Sequence, residues 1–242
     1  MSSIEVTNLV LVVKSNNTGV LESLVKGGVN VKTIDPLHRT LLHYAKSPEV
    51  AEMLIKCGVD VNARDIQGYT ALHFNDCPST VGVLIAHGAD VNDANNYGST
   101  PLHSVNSLEV AKILLAHGAR VDATDEEGFT PLHEVHLPEI AQLFINHGAD
   151  VNAVNNYGRT PLHRAVDAKM AKLLIAYGAH INITNNGGCT PLHCAATPEV
   201  ARVLIRCGAD RSLLDNEGLT PMERLLANDE PEVAETLNFQ KT

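Results

Sequence analysis

One tetrapeptide, Thr-Pro-Leu-His, recurs at a constant spacing of 30 residues and stands at residues 100–103, 130–133, 160–163 and 190–193. Variants at residues 40–43 and 70–73 extend the spacing backward, and a divergent seventh unit begins at Thr220. Repeated units of this length bury their apolar faces only against their neighbours, so the periodicity leaves little room for a separate globular domain. We therefore expect function on surfaces that the repeats build together.

Acidic residues outnumber basic ones, 28 to 18, and the formal net charge is −10. An acidic chain repels phosphate backbones, so we predict no nucleic-acid partner. No apolar run approaches the roughly 20 residues that a membrane span needs, so we predict no membrane association. The five cysteines show no paired framework spacing. Reduced thiols in the cytoplasm are expected, or in a host cytosol if the protein is a secreted effector.

Each repeat is predicted to begin with a hairpin-like finger. Gly128 stands two residues before its Thr-Pro-Leu-His segment, where a tight turn needs a positive φ. Glycines occupy the same phase in the other repeats, at Gly68, Gly98, Gly158, Gly188 and Gly218. Finger acids such as Asp65, Asp125 and Asp215 are expected to accept hydrogen bonds from the turn backbone.

Two antiparallel helices are predicted after each finger. Thr130 is suited to the N-cap of helix one and Pro131 to its first position, which directs Leu132 into the core. Helix two then begins after a capping residue such as Ser47 and ends at a glycine such as Gly58. The pattern predicts an all-α chain with short β-hairpin fingers.

This order of segments, with its Gly-x-Thr-Pro-Leu-His and His-Gly-Ala-Asp-Val-Asn sequences, resembles the ankyrin repeat family over about residues 29–220. The resemblance implies a solenoid of stacked helix-turn-helix units. We interpret residues 1–242 as one ankyrin repeat domain. Residues 1–28 are predicted to form an N-terminal capping helix pair, residues 29–219 six repeats, and residues 220–242 a capping repeat with a frayed tail at 240–242.

The internal repeats are shorter than the family's usual unit, with 30 residues in place of about 33. Comparison with the last unit places the missing residues between the two helices. We therefore predict that helix one is only about six residues long. Our hypothesis is that this shortening changes the curvature of the array and makes the helix-one side of its groove shallow.

Most histidines fall at two repeated phases, which favours structural roles over chemistry. Those of the Thr-Pro-Leu-His segments are implied by the resemblance to tie each finger to its neighbour. They are His43, His73, His103, His133, His163 and His193. A second set, His87, His117 and His147, precedes the glycine that ends helix two, where an imidazole suits a helix C-terminus.

Two clusters invite a metal interpretation. His133 and His136 stand three residues apart, with Glu134 and Glu139 nearby. The other cluster comprises Cys189, His193, Cys194 and Cys207. Ligand spacing for zinc is incomplete in both, and there is no nucleophile elbow or glycine-rich phosphate loop. We predict no metal, no cofactor and no catalytic residue, and we keep an enzyme with a site in one of these clusters as a remote alternative.

Variation between repeats is concentrated on the fingers, and the family resemblance implies that fingers and the ends of helix one line a concave groove where partners dock. Four of the nine Tyr and Phe residues lie there: Tyr69, Tyr97, Phe129 and Tyr157. Rigid aromatic side chains are typical binding anchors, but they equally suit packing against the next finger. The predicted partner-binding set is Tyr69, Asp76, Tyr97, Glu126, Glu127, Phe129, His136, Tyr157, Arg159 and Asp167.

Acidic residues exceed basic ones in this set, which favours a partner protein with a basic segment and one or two apolar anchors. The alternative is a solvated surface that serves only solubility. We predict a monomeric, non-enzymatic scaffold for protein–protein interaction, and effector, adaptor and inhibitor roles stay open. A structural spacer or self-assembling element without a specific ligand is the alternative.

Overall fold

A computed structural model describes residues 3–238 of the chain, so the predicted frayed tail at 240–242 lies outside the described residues. The chain divides into two compact units, Met1–Arg120 and Val121–Thr242. Each unit is built from the same finger, short helix and longer helix. Within the described residues, no helix is long and apolar enough to cross a membrane.

Unit 1 begins with a helix pair, α1 (Ser3–Lys14) and α2 (Thr18–Lys26). Its repeats contribute three longer helices: α3 (Pro48–Lys56), α4 (Pro78–Ala86) and α5 (Leu108–Ala116). A 3₁₀ turn precedes each of these helices, at Leu41–Tyr44, Ala71–Phe74 and Pro101–Ser104.

Unit 2 continues the pattern and ends with a longer helix pair. Its helices are α6 (Pro131–Glu134), α7 (Pro138–Asn146), α8 (Ala168–Ala176), α9 (Pro198–Arg206), α10 (Pro221–Ala227) and α11 (Pro231–Glu235). Two 3₁₀ segments, Pro161–Arg164 and Thr236–Asn238, complete the unit.

Helix two forms where the sequence predicts it. In α3, the Ser47 hydroxyl accepts a hydrogen bond from the Val50 amide, and Pro48 occupies the first turn. The side chains of Val50 and Leu54 are buried against neighbouring elements. Gly58 ends the helix with a φ of 80°, a conformation that glycine adopts without steric cost.

Helix one is shorter than predicted. In the internal repeats it is a single turn of four residues, mostly 3₁₀, and Pro191–Cys194 forms only a turn. The predicted length of about six residues was therefore too long. With three residues missing, the chain must become extended at Val135 to reach the start of α7, whereas the longer last unit allows α10 seven residues.

The fingers are tight turns rather than continuous strands. In one of them the Asp65 amide donates to the Tyr69 carbonyl at 2.9 Å, and Gly68 lies at a φ of 82°. As predicted, the Asp65 carboxylate accepts hydrogen bonds from the amides of Gln67 and Tyr69. The described residues contain only one isolated antiparallel bridge, between Ile34 and Thr40.

Candidate partner-binding surface

Buried histidines hold each finger in place. The Thr40 amide donates to Nδ1 of His43 at 3.1 Å, and Nε2 of the same ring lies 3.0 Å from the carbonyl oxygen of Tyr69 on the next finger. The equivalent ties in unit 2 join His133 to Arg159, His163 to Cys189, and His193 to Leu219. The predicted structural role of these histidines is confirmed, and their ring nitrogens are occupied by it.

The second set of histidines caps helix two. Nδ1 of His147 lies 2.8 Å from the Leu143 carbonyl oxygen, and His87 and His117 make the same contact with Val83 and Ile113. A carbonyl only accepts, so the imidazole donates. Each ring adds a second hydrogen bond to a carbonyl that already accepts from the backbone amide of the same histidine, and so reinforces the helix end.

Some members of the two clusters that invited a metal interpretation have structural contacts. Both nitrogens of His133 are hydrogen-bonded, and His136 is exposed on the loop that follows. Burial raises the pKa of Cys194 to about 11, which keeps its thiol protonated at neutral pH. Among the described residues, no group of three or more His, Cys, Asp or Glu side chains is arranged to hold a metal ion.

The aromatic residues that follow the finger glycine pack inward. The ring of Tyr69 stands edge-on to His73, with centroids 5.4 Å apart, and Phe129 meets His133 in the same way at 5.6 Å. Phe129 is only 6% exposed and lies under the guanidinium of Arg164. The rings that follow the finger glycine therefore fit the alternative of packing within the chain rather than that of anchoring a partner. Tyr69 and Phe129 support the surface from beneath.

The aromatic residues that precede the finger glycine are exposed. Tyr97 is 50% exposed and Tyr157 48% exposed. Their hydroxyl groups nonetheless face the preceding finger. The Tyr97 hydroxyl accepts a hydrogen bond from Gln67 at 3.4 Å. A hydrogen bond with Glu127 and the charge of that carboxylate raise the pKa of Tyr157. The Tyr157 ring also lies 6.3 Å from the ring of Phe129 on the preceding finger, measured between centroids, while about half of each tyrosine stays open to solvent.

Several of the predicted acidic residues are occupied within the chain. Asp76 pairs with Lys46 at 2.9 Å, and the Asp167 carboxylate caps α8 by accepting from the Met170 amide at 2.8 Å. Outside the predicted set, Glu134 pairs with Arg164. Glu126 and Glu127 are exposed on one finger tip, and Arg159 is exposed on the next. The acidic character of the surface therefore rests mainly on Glu126 and Glu127.

A row of asparagines aligns successive finger tips. This row was not predicted from the sequence. Nδ2 of Asn156 donates to the Glu126 carbonyl at 2.9 Å, and Asn186 and Asn216 donate in turn to the carbonyls of Asn156 and Asn186. Asn96 makes the equivalent bond in unit 1. The signal was present as asparagine at a constant phase, two residues before the finger glycine.

These features define a helical repeat protein whose fingers are joined by buried histidines and surface asparagines. A family model for a single ankyrin repeat matches residues 37–66, and a model for three ankyrin repeats matches residues 69–135, 105–185 and 167–241. The matches cover more than half of the chain. The chain belongs to the ankyrin repeat family, and both the resemblance and the predicted fold class are confirmed.

Among solved structures, the chain is similar to the crystal structure of the human ASB11 ankyrin repeat domain. The two share 25% sequence identity with a TM-score of 0.72, and the match covers 84% of this chain and 100% of the other. No curated protein sequence matches at a significant level.

Proposed function

We propose that this chain is a non-enzymatic module that binds another protein through its fingers and helix-one turns. Ankyrin repeats are generally protein–protein interaction modules, and this chain belongs to their family. The observation that carries the proposal is the state of Tyr97 and Tyr157. Their rings are about half exposed at the finger tips, and their hydroxyl groups face the preceding finger, where that of Tyr97 accepts from Gln67 and Glu127 raises the pKa of Tyr157.

An exposed ring that is already ordered suits a binding anchor. Immobilising a side chain on association costs about 0.5–1.5 kcal/mol, and a tethered tyrosine has lost part of that freedom beforehand. Its ring still offers a large apolar area for burial. Inward-packed Tyr69 and Phe129 fix the fingers from below. The proposed contact set is therefore led by Tyr97 in unit 1 and Tyr157 in unit 2.

The charge next to Tyr157 defines the partner further. Glu126 and Glu127 stand exposed on the finger before it, and Asp76 and Asp167 are already engaged elsewhere. A lysine or arginine placed beside an apolar anchor would meet both the ring and the carboxylates. The partner segment is proposed to be basic at this point. All five cysteines are free, which suits a reducing compartment such as the cytoplasm.

The test compares partner capture by matched tyrosine variants. The intact chain, a Tyr97→Ala/Tyr157→Ala variant and a Tyr177→Ala control would be used to capture proteins from an extract of the source cell. Tyr177 is 45% exposed and its hydroxyl accepts from Gln142 at 2.7 Å, but it lies at the end of α8 rather than on a finger. The three proteins should melt alike, because none of these rings belongs to the core.

The proposal expects a partner whose affinity falls at least about 30-fold, or about 2 kcal/mol, in the double variant and stays within about threefold for the control. Equal capture by all three chains would place the contact elsewhere and contradict the proposal. Concentration-dependent self-association that is insensitive to both finger tyrosines would favour a spacer or assembly element instead. Sedimentation velocity of the intact chain separates that outcome from the predicted monomer.

A further inference from the structure

In unit 1, a finger arginine is neutralised inside the chain. Nε of Arg39 lies 3.0 Å from Oδ2 of Asp65, which stands 26 positions later at the start of the next finger. The guanidinium also lies over the ring of Phe74, 4.6 Å from its centroid. Asp65 is buried, so Arg39 supplies the compensating charge that this carboxylate needs.

Arg159 in unit 2 occupies the same phase as Arg39, but the position equivalent to Asp65 is not acidic. The residue 26 positions after it is Asn185, an uncharged amide in place of the carboxylate of Asp65. Oδ1 of Asn185 still accepts from the amides of Gly187 and Cys189, as the finger requires. Within the described residues, the Arg159 guanidinium has no ion pair or hydrogen bond, and Nδ2 of Asn185 has no acceptor.

Arg159 and Asn185 line one cavity of about 520 Å³ within unit 2, together with Tyr157, Cys189, Cys194 and Arg224. The charge of Arg224 is compensated by Asp215 at 2.6 Å and Glu217 at 3.0 Å. His163 and His193 also line the cavity, and burial lowers the pKa of both, so their rings are neutral at neutral pH. Among the described residues that line this cavity, Arg159 is therefore the charged group without a partner of opposite charge.

We propose that Arg159 and Asn185 receive the carboxylate of an aspartate or glutamate side chain from the partner protein. This inference rests on the proposed function and adds a second recognition element to it. The partner's carboxylate would take the position opposite Arg159 that the carboxylate of Asp65 takes opposite Arg39. The guanidinium and the amide Nδ2 supply N–H donors, and charge-assisted bonds of this kind are among the strongest hydrogen bonds in proteins. The partner segment then carries an acidic residue within reach of the surface that includes Tyr157.

The first test asks whether position 185 faces Arg159 closely enough to pair. Asn185→Asp introduces the carboxylate that stands at the same phase in other repeats, for example at Asp65. Asn95→Asp is the control, because it makes the same change where the preceding finger has Tyr69 instead of arginine. Carboxyl ¹³C NMR should give the carboxyl group introduced by Asn185→Asp a pKa at least about one unit below that of the group introduced by Asn95→Asp. Equal pKa values, or an Asn185→Asp carboxyl group whose pKa does not rise when Arg159→Ala is added, would overturn the geometry on which the proposal depends.

The second test uses a displayed library of random 12-residue peptides, selected on the intact chain. Peptides that require Tyr157 should contain an acidic residue whose change to the amide lowers affinity at least about tenfold, or 1.4 kcal/mol. Arg159→Ala and Asn185→Asp should lower the affinity of the same peptides by a similar factor. Asn95→Asp should leave it unchanged, since it adds a charge at the same phase in unit 1.

Two failures are distinguishable. Peptides that need Tyr157 but ignore both Arg159→Ala and Asn185→Asp would overturn this inference and leave the proposed function standing. Selected peptides that are indifferent to both finger tyrosines would overturn the proposed function and this inference with it. Circular dichroism of each variant confirms that folding is retained, which is expected because aspartate already stands at this phase at Asp125, where the preceding finger has Ser99 instead of arginine.

Discussion

Nε2 of His163 lies 3.1 Å from the carbonyl oxygen of Cys189, on a finger that begins one repeat later. Nδ1 of the same ring accepts a hydrogen bond from the Thr160 amide at 3.1 Å. An amide N–H only donates and a carbonyl only accepts, so the ring is neutral with its proton on Nε2. A second proton would place an N–H against an N–H in a buried site.

Acid should therefore destabilise the protein through these histidines. Burial lowers the pKa of His73 and His163 from 6.5 to about 4. The unfolded chain binds protons more readily between these values, so the stability due to the neutral rings is complete above pH 6.5 and is lost as the pH falls toward 4. Each ring should account for roughly 3 kcal/mol of that loss.

Urea unfolding at intervals from pH 7.5 to 4.5 measures this dependence. A His163→Gln variant, less stable at neutral pH, should lose less stability over the same interval because one titrating ring is gone. A free energy of unfolding that stays level from pH 7 to pH 5 would contradict the assigned protonation of the rings.

Leu132 should be essential to the packing of unit 2. Its side chain is 2% exposed at the first turn of helix one, so Leu132→Ala is expected to cost about 2–5 kcal/mol of unfolding free energy. Leu137→Ala removes the same atoms from an exposed leucine five positions later and should cost less than about 0.5 kcal/mol. Denaturant unfolding of the two variants compares them directly, and equal losses would show that the helix-one register is misassigned.

Gly158 should tolerate a methyl group less well than Gly148 does. Both have positive φ, at 72° and 92°, so alanine introduces backbone strain of about 1 kcal/mol at either position. At Gly158 the added Cβ would also lie 2.5 Å from Oδ1 and 2.8 Å from the amide nitrogen of Asn186, whereas nothing lies within 4 Å at Gly148.

We expect Gly158→Ala to reduce the unfolding free energy by at least about 1 kcal/mol more than Gly148→Ala, because the asparagine contact between fingers must open. Thermal and urea unfolding of the pair provide the measurement. Similar losses would mean that the finger at Asn186 moves aside at little cost.

The cysteines should differ in reactivity. Hydrogen bonds from the side chains of Ser79 and Thr80 lower the pKa of Cys77, whereas burial raises that of Cys194 to about 11. The thiolate is the reactive form, so iodoacetamide at pH 7.5 should alkylate Cys77 more than about tenfold faster than Cys194. Peptide mass spectrometry over time gives both rates. In urea the two rates should converge, and convergence in the folded protein would contradict the burial of Cys194.

The periodic elements of the fold could be predicted because each depends on local chemistry. Gly68 marks a positive φ, Ser47 an N-cap and Gly58 a helix end, and all three act through the backbone within a few residues. The resemblance to the ankyrin repeat family implied the histidine ties, and the constant phase of these residues favoured a structural role for them. The length of helix one was predicted wrongly because the three missing residues change the path of the chain. No local signal in the sequence specifies the residue at which the helical backbone must become extended.

The candidate site was predicted only in outline. Tyr69 and Tyr97 lie on successive fingers at phases two residues apart, yet one ring packs on His73 and the other faces solvent. As residue types in the sequence the two tyrosines are equivalent. The direction of a side chain on a turn, however, depends on the backbone dihedrals and on the neighbouring finger. Similarly, Asp76 and Glu126 contributed equally to the predicted acidity, although Lys46 engages only the first.

The sequence alone determined the repeat, its turns and its caps, because these follow from backbone chemistry repeated at a fixed interval. The resemblance of its motifs to a known family added the histidine ties. The tertiary structure decided which side chains remain available to a partner. Arg39 and Arg159 are the same residue at the same phase, and only the group that folding brings opposite them separates a neutralised arginine from an open one. That difference arises from contacts 26 positions apart in the chain, which local propensity does not encode.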